Sequence, residues 1–187
     1  MQCYLRIGLH AGPMDYTPGI FDILRQRAGG PPARPQDSRV RAALAKQLTL
    51  YVVLDSPLQM AADLPENDEG QPVFQFIRDV AVDWDTTRVL DGRIGNYVAV
   101  ARRKRGGQSW FVGAITDGQG RTLDAPLSFL TPGRKYVAEI YADGPKANWL
   151  DNPSPVTITR RPVTAATRLR VVLAPGGGQA IRIHPAR

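Results

Sequence analysis

The sequence predicts a mostly β protein: an antiparallel β-sandwich of about eight strands, preceded by a terminal βα unit and short helices. Three observations predict it. Eight short segments after Trp84 are rich in β-branched and aromatic residues, at roughly ten-residue spacing. Turn dipeptides separate them, among them Asp91-Gly92, Gly106-Gly107, Asp117-Gly118, Pro132-Gly133 and Asp143-Gly144. Before Trp84, by contrast, apolar residues recur at helical spacing.

Taken in order, segment 4–9 is short, apolar and β-compatible. It runs into the loop Ala11-Gly12-Pro13-Met14-Asp15-Tyr16-Thr17-Pro18-Gly19. Residues 20–27 suit one or two helical turns, and the prolines of 29–37 block helix there. Ser38 is a suitable N-cap for a helix over 40–54, whose apolar face is Val40, Ala43, Leu44, Leu48, Tyr51 and Val52. Ser56-Pro57 predicts a second short helix to about Leu64, with Pro at its first position. An acidic turn is expected at 65–70 and a third short helix at 72–79.

The expected strands are 86–90, 96–103, 109–116, 121–127, 134–141, 155–160, 168–173 and 179–184. Alternation is clear in 134–141: Tyr136, Ala138 and Ile140 share one face, and Val137, Glu139 and Tyr141 the other. The chain thus divides into 1–82, one strand-loop-helix unit that would leave strand edges and an apolar helix face uncovered alone, and 83–187, the sandwich.

Composition excludes several chemistries. The 187 residues hold 24 Lys and Arg against 17 Asp and Glu, a net charge of +7. Arg far outnumbers Lys, and the only glutamates are Glu66, Glu69 and Glu139. Two histidines (His10, His184) and one cysteine (Cys3) cannot build a Cys/His zinc site or an internal disulfide. No apolar run approaches the ~20 residues of a membrane span, so no membrane partner is expected. The first ten residues lack the basic n-region of a signal peptide. Nucleic-acid binding would rest on net charge alone and is not expected; an Arg and Asp bias of this kind also follows from GC-rich coding.

The segments that follow carry a resemblance. The loop from Ala11 to Gly19, Tyr51-Val52-Val53-Leu54-Asp55-Ser56-Pro57-Leu58-Gln59-Met60 and Trp84-Asp85-Thr86-Thr87-Arg88-Val89-Leu90 come first. Gly95–Arg103, Trp110–Ala114, Ala138–Gly144 and Ala174–Gly178 continue it. In this order and spacing they resemble glycoside hydrolase family 97, the α-glucosidases and α-galactosidases. The resemblance implies a three-part enzyme: an N-terminal β-domain, a (β/α)8 catalytic barrel and a C-terminal β-sandwich associated with oligomerisation. Residues 1–82 then correspond to the end of the barrel, which is incomplete here, and 83–187 to the sandwich. A homo-oligomer through the sandwich is the implied partner, with an α-glycoside as substrate only in the full-length context. A periplasmic or secreted setting is what the family suggests.

The family's catalytic and calcium-holding glutamates lie upstream of the signature loop. Glycoside hydrolysis needs two carboxyls at a fixed separation, one of them protonated. Glu66, Glu69 and Glu139 do not match those positions, so no catalytic residue, metal ligand or cofactor is expected in this chain; calcium is implied for the full-length enzyme only. Asp15 and Tyr16, just past a barrel strand, are the candidate substrate-binding residues. The alternative for Asp15 is that it organises the Pro-Gly turn, and His10 reads as a packed residue. The acidic turn lacks EF-hand spacing. Arg102–Arg105 reads as a hairpin tip, and Gly176-Gly177-Gly178, lacking the Lys-Ser/Thr of a phosphate loop, as another hairpin. Trp110 reads as core, while Trp149 is the better candidate for an exposed, sugar-stacking tryptophan. The competing function is a stand-alone carbohydrate-binding or protein-interaction module.

Overall fold

The computed structural model describes residues 16–21, 23 and 40–186. The expected strand over 4–9, the loop at 29–37, Ser38, His10 and Asp15 lie outside them, as do most of residues 20–27. In chain order the elements are α1 (Leu44–Val53), α2 (Pro65–Asp68), α3 (Phe74–Asp79), β1 (Trp84–Arg93), β2 (Tyr97–Lys104), β3 (Trp110–Thr116), β4 (Arg121–Pro126), β5 (Tyr136–Asp143), β6 (Val156–Val163), β7 (Arg168–Leu173) and β8 (Gly178–Pro185).

All eight expected strands form, and every pairing between them is antiparallel. They divide unevenly: a six-stranded sheet in the order β1-β2-β3-β8-β5-β6, and a two-stranded sheet β4-β7. The chain does turn between β2 and β3, but at 105–109; Arg102 and Arg103, expected at the tip, lie within β2 paired with Phe111 and Trp110, and Arg102 is buried. The glycine run 176–178 does not. It leads from β7 in the small sheet to β8 in the large one, so it is a crossing between layers.

The helices differ more from expectation. The helix expected over 40–54 begins at Leu44, and Ala43 takes the N-cap position in extended conformation with no side-chain cap. Tertiary contacts replace the cap: the Ala43 N–H donates to Gly176 O at 3.1 Å and the Leu44 N–H to Pro153 O at 2.7 Å. The helix expected over 57–64 does not form. Tyr16 bridges Gln59 in parallel and the Ala62 N–H donates to Pro18 O at 2.9 Å, so this segment is held extended against the incoming chain. Pro65 instead starts the single turn α2 within the expected acidic turn.

The large sheet buries apolar residues on both faces. On the inner face, Val112, Ala138, Ile181 and Ile183 meet Leu123, Leu169, Val171 and Leu173 of the small sheet. On the outer face, Val100, Phe111, Tyr141 and Ala180 meet Leu44, Leu48, Val52 and Phe76 of α1 and α3. The arrangement is three layers: helices, six strands, two strands. Strand alternation explains it, since Trp110 and Phe111 are neighbours yet face opposite layers. Strand β3, buried throughout, is therefore apolar at nearly every position. Trp110 is core, as expected, packed on Phe129 with centroids 4.6 Å apart. Phe76 sits edge-on to both Phe111 and Tyr141, at 6.2 and 5.2 Å, fixing α3 to the sheet.

Candidate functional site

Helix α1 organises three constellations, and the first surrounds Tyr16. The Tyr51 hydroxyl lies 3.0 Å from Pro18 O and 3.1 Å from Met60 O, and donates its one proton between them. Burial pushes this phenol well above its ordinary pKa. Gly19 has φ of 88° and rests on Tyr51, where a Cβ would come within 2.6 Å of the hydroxyl oxygen. The Gly19 N–H donates to the Gln47 side chain at 3.3 Å, and the Phe21 N–H to Asp63 at 2.7 Å. Thus Pro18-Gly19 is a strap tying the loop to α1. Its glycine answers both a left-handed backbone and a close approach. Tyr16, half-buried, is placed by the strap and by its bridge to Gln59.

The second constellation is the corner where β5, α1 and the glycine run meet. Asp143 Oδ2 accepts the N–H groups of Ala174 and Gly178 at 2.9 and 3.0 Å. Lys46, only 3% exposed, donates to Thr116 O at 2.5 Å. Burial raises the Asp143 pKa to about 6 against the pull of those N–H groups and Lys46, and lowers Lys46 to about 8. The glycines are dictated by what surrounds them. Added Cβ atoms would lie 2.5 Å from Trp149 at Gly176, 1.9 Å from Asp143 at Gly177, and 2.8 Å from the Lys46 backbone at Gly178. The Trp149 side chain is half-buried and covers Gly176, and its backbone N–H donates to Pro175 O at 3.0 Å. It buttresses the corner, so the tryptophan that was the better candidate for exposure is half-buried and engaged in packing.

This corner makes stability depend on pH. A raised carboxyl favours the folded state when protonated. That stabilisation is full below about pH 4 and is lost as pH rises through about 6. A depressed amine favours the folded state when neutral. That stabilisation is full above about pH 10.5 and is lost as pH falls through about 8. Each contributes roughly 3 kcal/mol across its window. The pair's contribution is therefore smallest between about pH 6 and 8. Asp143→Asn is expected to remove the acidic limb: urea midpoints between pH 4 and 6 should fall with pH by less in the variant than in the parent.

The third constellation is a set of charges between the sheet's outer face and the helices. Glu139 is buried, with one oxygen 2.9 Å from Arg160 and the other 3.2 Å from Arg182. Arg182 also reaches Asp79 of α3 at 2.8 Å. Arg102, inside the sheet, pairs with Asp55 beyond α1 at 3.0 Å. Glu139 thus spends both oxygens on guanidiniums, and Glu66 and Glu69 stand exposed at α2. None of the three has the setting of a glycosidase acid or nucleophile. Among the described residues, no group of three or more His, Cys, Asp or Glu gathers to hold a metal ion. The carboxylates among the described residues do not fit the calcium the resemblance implies for a full-length enzyme. No helix among those described is long and apolar enough to cross a membrane.

Sequence reasoning missed Lys46 and Asp143. One signal was available: Lys46 is one of four lysines and lies inside the apolar helix 40–54.

A family model described as glycosyl-hydrolase 97 C-terminal, oligomerisation, matches residues 83–184, more than half the chain. The chain belongs to glycoside hydrolase family 97. It is 37% identical over 175 residues to a retaining α-galactosidase of Bacteroides thetaiotaomicron, matching 92% of this chain and 25% of that protein. It is 32% identical over 177 residues to a probable retaining α-galactosidase of Streptomyces bingchenggensis, matching 92% of this chain and 24% of that protein. Among solved structures, a family 97 enzyme from Pseudoalteromonas sp. strain K8, in complex with acarbose, is similar with a TM-score of 0.87 and 46% identity. That match covers 95% of this chain and 27% of the other. The family 97 chain therefore spans about a quarter of the length of the curated relatives it matches.

Proposed function

We propose that the chain serves as the C-terminal, assembly-forming part of a family 97 α-glycosidase, with residues up to about 82 closing the catalytic barrel and residues from 83 mediating self-association. The observation that carries this reading is the oligomerisation-type match laid over the eight strands described. The relatives named retaining α-galactosidase favour α-galactosides as the substrate class, hydrolysed with retention in the complete enzyme. A retaining mechanism places its two carboxyls about 5 Å apart, and the glutamates of this chain offer no such pair. Any calcium would take its ligands from beyond the described residues.

The large sheet of the sandwich offers two edges, β1 and β6. On β6, Arg160, Arg161 and Pro162 disfavour strand addition. On β1, two register shifts interrupt the edge, but Val89 and Ile94 beside it are 70% and 89% exposed. We assign the self-association contact to this β1 side, made by side chains and not by continuing the sheet. Tyr16, with Asp15 before it, is proposed to face the sugar.

Light scattering of the purified chain over a wide concentration range tests this reading. Mass is expected to rise toward a dimer or larger assembly, with no release of nitrophenol from aryl α-galactosides. A monomer at every concentration contradicts the assembly, and turnover abolished by a substitution in this chain contradicts its non-catalytic role.

A further inference from the structure

The small sheet is narrower than the sheet it covers, and a groove of about 270 Å³ opens where it stops. Pairing places Thr159 and Arg161 of β6 beside Ile140 and Ala138 of β5, on the inner face. Arg170 and Val172 of β7 form the opposite wall, and β7 has no strand partner besides β4. Asp143 and Gln179 lie at the base.

The polar groups here are unspent. Arg102, Arg103, Arg105, Arg121, Arg160, Arg168 and Arg182 all pair with carboxylates. Arg161 and Arg170, both exposed, make no ion pair among the described residues. Asp143 uses Oδ2 for two backbone N–H groups, while its buried Oδ1 has no partner. Gln179 is only 4% exposed, and its side-chain amide makes no hydrogen bond among the described residues. Buried polar groups are normally satisfied, so the unpartnered Asp143 Oδ1, beside the free Gln179 amide at the base of one groove, points to a ligand.

The chemistry narrows that ligand. Two free guanidiniums suit a carboxylate, which they bind through paired N–H donors. A bare anion would meet the Asp143 carboxylate with nothing to offer it. A neutral sugar would satisfy Asp143 and Gln179 through its hydroxyls but leave both arginines unused. Ile140, Ala142 and Val172 supply apolar surface for a ring, with no aromatic stacking partner. We propose that this groove binds an acidic sugar, a hexuronate: its carboxylate between Arg161 and Arg170, its ring hydroxyls on Asp143 Oδ1 and the Gln179 amide. The proposal does not rest on self-association, since every residue it uses belongs to one copy.

Titration calorimetry of the chain with galacturonate and glucuronate tests it, with galactose, acetate and sulfate as comparators. One uronate is expected to bind saturably with a Kd on the order of 1 mM, and galactose, acetate and sulfate at least about tenfold more weakly. The Arg161→Ala/Arg170→Ala variant should lose that binding with its melting temperature kept. If the double variant proves unstable, each single variant is expected to weaken binding about threefold or more. No saturable uronate binding overturns the proposal. So does equal affinity for galactose, equal displacement by acetate or sulfate (a general anion site), or undiminished binding in the folded variants.

Discussion

Gly177→Ala is expected to lower the unfolding free energy by about 3–5 kcal/mol, the largest effect of an added methyl group at any described glycine. The added carbon would lie 1.9 Å from Asp143 Oδ2. That carboxylate cannot swing aside cheaply. It accepts the Ala174 and Gly178 N–H groups, and both would be left unsatisfied in a buried corner. Lys46 would lose one of its two nearby counter-charges as well, Asp117 remaining as the other. Gly106→Ala is the control. Gly106 has φ of 64° but nothing within 4 Å of an added Cβ, so only backbone strain of about 1 kcal/mol is expected. Urea unfolding of the two variants beside the parent checks the contrast. Similar losses in both would mean that the corner is not packed as described.

Gly113→Val is expected to be nearly as damaging, by about 3–4 kcal/mol, for a different reason. Gly113 lies in the middle of β3, where an added Cβ would fall 2.9 Å from Val52 Cβ and 3.2 Å from Thr49 Cγ2. Helix α1 rests on the sheet at this point. A branched side chain must lift it, opening the outer cluster around Leu48, Val52 and Phe111. The expected signature is a loss of near-ultraviolet signal from Trp84 and Phe111, which pack at 5.6 Å, together with a lower denaturation midpoint. An unchanged midpoint would show that the helices and the sheet are not one packed body.

These two glycines mark where the sequence is legible and where it is not. Strand positions could be read because period-two alternation and turn dipeptides are local signals. Every expected strand overlaps an observed one, and Trp110 was rightly placed in the core. How the strands divide between sheets is a long-range matter. Nothing local in Gly176-Gly177-Gly178 distinguishes a hairpin from a crossing; the difference lies in Asp143, Lys46 and Trp149 packed around it. The helix over 57–64 failed for a similar reason. Its own propensity was overridden by pairing with residues 16–18, which are distant in sequence. The Arg excess, read from composition as coding bias, has partial structural content. Most strand arginines hold carboxylates, and in the run 102–105 Arg102, Arg103 and Arg105 are committed to Asp55, Asp85 and Asp83. For the candidate site, the family segments pointed to the loop that carries Tyr16. The strap that fixes it, Tyr51 to Pro18 and Met60, spans separations no local pattern reveals.

The central claim is that this family 97 chain associates through the β1 side of its sandwich. Sedimentation velocity of a Val89→Asp/Ile94→Asp variant beside the parent tests it most directly. Both positions are exposed in one copy, so the fold is expected to survive. The account predicts an associating parent and a variant that sediments as a monomer at the same concentrations. A variant that associates as the parent does would contradict it.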